Sequence, residues 1–201
     1  MKNKNLPNQL TMLRVFLIPL IIIIPLIKQL QTKIIFGGVS LADLIILGIF
    51  LIATFTDFLD GYLARKYNLI TDFGKFMDPL ADKLLVFAAF LVLMDLNRLQ
   101  AWVIMIIIAR EFLVMGIRVL AASNNVVIAA SFLGKLKTNS QFLVVIILLL
   151  NNYPFSLITA LNIGPNQNII SLVIIYIMAI LTVVSGIDYF VKNKEVIIKK
   201  K

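Results

Sequence analysis

An all-α integral membrane domain with six transmembrane helices is the fold class this sequence predicts, and three observations predict it. Hydrophobic residues make up 61% of the 201 residues and charged ones only 14%. A soluble domain of this length could not hide that much apolar side chain. Apolar runs of membrane-spanning length recur along the whole chain, and lysine and arginine gather at one set of run ends.

The first run, 10–28, follows Lys2 and Lys4 and imitates a signal peptide. Arg14 and Pro19 interrupt it and no small-x-small cleavage site follows, so it reads as a retained span, bent at Pro19 and Pro25. The second run, 40–64, comes after Gly37-Gly38, and the third, 73–95, after "KYNLIT". The fourth, 99–121, follows "MDLNR", and the fifth, 133–151, follows "AASNNV". The sixth, 168–191, lies beyond the longest connection, "NNYPFSLITALNIGPNQN". The chain reads as a single membrane domain, 1–201, with a juxtamembrane segment 1–9 and a basic tail 192–201. Trp102 and the tyrosines near span ends read as interfacial anchors.

One side of this layout collects Lys2, Lys4, Arg65, Lys66, Arg118, Lys135, Lys137, Lys192, Lys194 and Lys199 to Lys201. The other side has Lys28, Lys33 and Arg98. The positive-inside rule puts both termini, and the connection between the second and third spans, in the cytoplasm of a cell-membrane protein. The net charge of +9 comes without an aromatic-basic platform, so it fits anionic lipid head groups rather than nucleic acid. Cysteine and histidine are absent, which excludes thiol chemistry and leaves only oxygen ligands for a metal.

Five of the ten carboxylates fall within "TDFLDGYLARKYNLITDFGKFMDPLADKLL", at Asp57, Asp60, Asp72, Asp78 and Asp82. At 100° per residue, Asp57, Asp60, Gly61 and Ala64 share one face of the second span, and Gly74, Asp78 and Asp82 form a stripe on the third. The short connection makes these spans antiparallel neighbours, so both acidic faces can meet across one gap. Each aspartate at a helix centre is disfavoured by about 2.5–3.5 kcal/mol. One or two divalent cations remove that cost, and hard oxygen ligation suits magnesium or manganese. Asp72 reads as a helix cap, and Asp43 and Asp95 as span-end residues. A cation transporter would also carry intramembrane aspartates, but nearer the midplane and without neighbouring cations.

This stretch resembles the signature of the CDP-alcohol phosphotransferase family, D-x2-D-G-x2-A-R-x8-G-x3-D-x3-D. All eight of the spaced elements are matched: Asp57, Asp60-Gly61, Ala64-Arg65, Gly74, Asp78 and Asp82. Asn8, Thr11 and Arg14 are similar to the family's N-terminal element. The resemblance implies that Asp57, Asp60, Asp78 and Asp82 hold Mg2+ or Mn2+, two ions in number, and that Asp82 is the general base. It implies that Asn8, Gly61, Ala64, Arg65 and Gly74 bind the CDP group, with Arg65 on the diphosphate. It also implies a cavity open to the cytoplasm, a homodimer, and transfer of a phosphatidyl or similar group to an alcohol with release of CMP.

The acceptor is addressed by further charges. Arg110 and Arg118 lie eight apart on the fourth span, and Lys135, Lys137 and Thr138 open the fifth. Fixed positive charge beside the aspartates would bind an anion, and a phosphorylated acceptor is one. Each residue has a structural alternative: pairing with Glu111 or another buried carboxylate for Arg110, and a positive-inside anchor for Arg118, Lys135 and Lys137. The set, with Thr11 and Arg14, resembles family members that use CDP-diacylglycerol and glycerol 3-phosphate. Members using an inositol phosphate or a phosphatidyl lipid as acceptor are the alternative.

Overall fold

The computed structural model describes residues 6–67, 72–124, 126, 128–129, 131–158, 162–164 and 167–195, with the side chains of 6–10, 60–65, 67, 72–76, 164 and 167 outside that description. Helix α1, Leu6–Ile23, stops short of the predicted end at 28. Pro25 explains this: it has no amide hydrogen to donate, and the chain tightens into a 3-10 turn over Ile24–Leu26 before the short α2, Lys28–Thr32. Gly37 and Gly38 follow, both with positive φ (52° and 79°), which glycine reaches without steric cost. They fold β1, Ile34–Phe36, back onto β2, Val39–Ser40. A second small hairpin joins β3, Asn162–Gly164, to β4, Gln167–Asn168. The all-α expectation did not include these ribbons, whose turn chemistry lies in connections rather than in spans.

The long helices sit close to the predicted runs. Helix α3 is Leu41–Tyr67, α4 is Asp72–Asp95, α5 is Ala101–Ser123, α6 is Phe132–Leu149 and α7 is Ile169–Lys192. Three segments, Leu41–Leu59, Phe132–Leu149 and Ile169–Lys192, are long and apolar enough to cross a membrane among the described residues. Helix α5 has the length but carries Arg110, Glu111 and Arg118 in one stretch. Capping is local and explicit. Ser131 Oγ accepts from the Gly134 amide at the start of α6, and Asn168 Oδ1 from the Ile170 amide at the start of α7.

Burial on α7 is inverted relative to a water-soluble helix. Ser171, Thr182, Ser185, Gly186 and Tyr189 are buried, whereas Ile177, Ile180, Val184 and Ile187 are exposed. Such a helix is stable when its outer face meets hydrocarbon and its small and polar residues meet other helices. The apolar core lies between α3, α4, α5 and α6, around Phe50, Leu85, Phe90, Leu93, Ile107 and Leu148.

Two features fix the ends of the bundle. At the start of α3, the Ser40 amide donates to Asp43 and the Asp43 amide donates back to Ser40 Oγ, a reciprocal cap. The buried Asp43 carboxylate also takes both Nη atoms of Arg98, at 2.8 and 2.9 Å, and Arg98 reaches the Leu148 carbonyl at 3.1 Å. This fork ties α3, the α4–α5 connection and the end of α6 together. At the other end, α1 packs along both α3 and α4, which touch each other more sparsely.

Candidate functional site

The predicted meeting of two acidic helix faces takes a form in which α1 is the third wall. Arg14, fully buried, places Nη1 2.7 Å from Asp57 Oδ1. Thr11, one turn earlier, donates to Asp78 Oδ1 at 2.7 Å. Two rows of carboxylates repel, and a helix that brings a guanidinium and a hydroxyl donor to them offsets that repulsion. Thr11 and Arg14, expected beside an acceptor phosphate, lie against the aspartates. The sequence placed the two together in one N-terminal element, but did not show which helices that element would meet.

Asp57, Asp78 and Asp82 stand close enough for their charges to act on one another, Asp78 on Asp57 and Asp57 on Asp82. Thr11 takes Asp78 Oδ1 and Arg14 meets Asp57 Oδ1, whereas Asp82 accepts no hydrogen bond among the described residues. Carboxylate oxygens, in a chain without histidine or cysteine, fit a hard divalent cation. No group of three potential ligands at metal-binding spacing occurs among the described residues; the Asp60 side chain lies outside them. So do the side chains of Asn8, Gly61, Ala64, Arg65 and Gly74, the set expected to meet CDP, although their backbones lie in α1, α3 and α4.

Beside these aspartates opens a cavity of about 620 Å³, walled by α4, α5, α6 and α7. Asp82, Arg110, Arg118, Lys135, Lys137 and Thr138, all singled out from the sequence, line it together. Lys83, Glu111 and Tyr189 join them there. Five cations thus face two carboxylates in one space. They are not equivalent. Glu111 accepts from Lys137 in a short contact and from Arg110 Nη1 at 3.2 Å, with Lys83 at 3.9 Å. Arg110 does pair with Glu111, as one of the two sequence readings had it. Lys135 and the two Nη atoms of Arg118 have no anionic partner among the described residues, which leaves positive charge uncompensated over the cavity.

The contrast with the opposite end is informative. A second cavity, about 350 Å³, lies by Arg98, Gln100, Asn168 and Tyr176. Three of its polar side chains are engaged: Arg98 by Asp43, Gln100 by the Trp102 indole at 2.6 Å, and Asn168 by Phe155 and Asn162. Sequence reasoning missed Tyr189, which is 2% exposed and packed under Arg118 rather than anchored at an interface. The signal available was its i, i+4 relation to Ser185 on the same helix.

Comparison with known proteins agrees with what this arrangement can do. Residues 4–186 match the family described as CDP-alcohol phosphatidyltransferase. The CDP-diacylglycerol–glycerol-3-phosphate 3-phosphatidyltransferase of Bacillus subtilis is 44% identical over 193 residues, covering 95% of this chain and 96% of that protein. Proteins of the same name in Rickettsia prowazekii and Mycoplasma genitalium are 39% and 34% identical. The alignments cover 94% of this chain and 94% of the first, and 92% of this chain and 82% of the second. With the aspartate spacing complete, α1 seated on it and a cationic cavity alongside, this chain belongs to the CDP-alcohol phosphatidyltransferase family.

Proposed function

We propose that the protein is a phosphatidylglycerophosphate synthase: it transfers the phosphatidyl group of CDP-diacylglycerol to glycerol 3-phosphate, giving phosphatidylglycerophosphate and CMP. The observation that carries this reading is that Asp82 lines the same cavity as the uncompensated Arg118 and Lys135. An acceptor whose phosphate rests on those cations brings its hydroxyl toward the carboxylate. The names of the relatives from Bacillus, Rickettsia and Mycoplasma support the same donor and acceptor.

In this reading α1, α3, α4, α5, α6 and α7 are six spans, both termini are cytoplasmic, and the cavity opens to the cytoplasm. Support comes from charge. The cavity lies toward the start of α4 and α6 and the ends of α5 and α7, the ends where lysine and arginine collect. The donor's acyl chains stay in lipid while its head group enters from the side of Arg65. Asn8, Gly61, Ala64, Arg65 and Gly74 take the CDP group, small residues giving space and Arg65 its planar fork to the diphosphate. Asp57, Asp60, Asp78 and Asp82 would hold Mg2+ or Mn2+, which when bound neutralises charge on the diphosphate. Thr11 and Arg14 keep Asp78 and Asp57 aimed inward. Asp82 takes the proton from the acceptor hydroxyl; that oxygen bonds to the phosphatidyl phosphorus as the bond to CMP breaks. A homodimer accompanies this reading through the family resemblance.

An acceptor screen tests it. Purified protein is given CDP-diacylglycerol with magnesium and one acceptor at a time: glycerol 3-phosphate, glycerol, serine, an inositol phosphate or phosphatidylglycerol. Phosphatidylglycerophosphate formed from glycerol 3-phosphate, with CMP in equal amount, is the expected result. A preferred product lipid from any other acceptor overturns the assignment.

A further inference from the structure

The buried face of α7 is polar where an aliphatic face would pack as well, and two of its hydroxyls, those of Ser185 and Tyr189, each meet an arginine of the cavity. Ser185 is fully buried; its Oγ donates to the Thr182 carbonyl at 2.9 Å, which turns a lone pair toward Arg110 Nε, 3.2 Å away. One turn on, the Tyr189 phenol oxygen accepts from Arg118 Nε at 3.1 Å. The Arg118 guanidinium carbon also stands 5.7 Å from the Tyr189 ring centre. Between them, a Cβ added at Gly186 would lie 3.0 Å from Arg110 Cγ, so the Arg110 stem runs against bare α7 backbone. Among the described residues, Arg118 is the only hydrogen-bond partner of the Tyr189 hydroxyl.

We propose that Tyr189 and Ser185 are positioning residues for the acceptor's phosphate. Each holds an arginine by its Nε edge and leaves the Nη edge for the ligand, fully for Arg118 and through Nη2 for Arg110, whose Nη1 is shared with Glu111. An unrestrained arginine loses much rotamer freedom when it closes on a phosphate. One already pinned at Nε has given up that freedom on folding, so binding costs less. The last helix thereby sets acceptor affinity through the two arginines it holds. This inference rests on the proposed use of glycerol 3-phosphate.

Tyr189→Phe keeps the ring and its stacking on Arg118 and removes only the accepting oxygen. The expected result is a rise of about tenfold in KM for glycerol 3-phosphate, with a much smaller change in kcat and in KM for CDP-diacylglycerol. In an Arg118→Ala background the same change should have no further effect, the mark of two residues acting as one. Ser185→Ala measured with and without Arg110→Ala is the second cycle, and it decides the matter should Tyr189→Phe melt early in detergent. Additive losses in both cycles, or losses falling on CDP-diacylglycerol, reduce α7 to packing and overturn the proposal. If Arg118→Ala itself leaves the acceptor KM unmoved, the acceptor assignment fails and the positioning role with it. If Arg118→Ala weakens binding and Tyr189→Phe does not, only the positioning role fails.

Discussion

Asp82 has no hydrogen-bond donor among the described residues and faces the cavity, so its replacement removes a reactive group and breaks no internal contact. Asp82→Asn should lower CMP release by a factor on the order of 10²–10⁴, the usual contribution of a positioned base, at an unchanged melting temperature. Near-normal turnover would take the base role away from it. The aspartates were legible because helix periodicity converts spacing into a shared face. Arg14 and Thr11 were legible only as neighbours of each other, since the face they share has no address until three helices are assembled. Glu111 was visible as a partner for Arg110, but not as the carboxylate that also gathers Lys137 and Lys83. Those contacts join residues 26 and 28 positions away and depend on how α4, α5 and α6 cross.

Among the elements, the connection between α4 and α5 shows how a charge is made tolerable far from the lysine-rich ends. Arg98, an exception to the charge asymmetry of the sequence, is neutralised by Asp43 with both oxygens engaged. Removing one partner of a buried pair strands the other, so Asp43→Ala should destabilise the bundle by about 3–5 kcal/mol. Asp43→Leu with Arg98→Met should recover most of that loss, because no charge is then left unpaired. Unfolding in detergent against denaturant checks both; equal losses in the single and double variants would show that packing rather than charge is at stake. Positions of the long helices were readable to within a few residues from apolar periodicity. A bend at Pro25 and a connection at Gly37-Gly38 were readable too, but not that the helix ends at Ile23 or that the glycines close a ribbon, because the apolar run continues past the first and the second belongs to turn geometry.

For the molecule as a whole, the carboxylates are arranged at one end with cations beside them, and the reading of a metal-assisted transfer can be tested without any substitution. Chelation should abolish CMP release, and either magnesium or manganese should restore it. A melting temperature that rises on adding the ion to chelated protein would report binding separately from turnover; activity that persists in chelator would remove the ions from the proposal. The class of fold and the chemistry were readable from composition and one motif, whereas the orientation of the arginines by α7 was not, because Ser185 and Tyr189 lie 75 and 71 residues from their partners. The seat of α1 carries a consequence for biogenesis. Thr11 is separated by 67 residues from the Asp78 it holds, so α1 waits through the synthesis of α3 and the start of α4 before it can dock fully. Until α3 follows, Arg14 has no Asp57 to meet, and that interval is when the nascent chain most needs a chaperone or an insertase at its side.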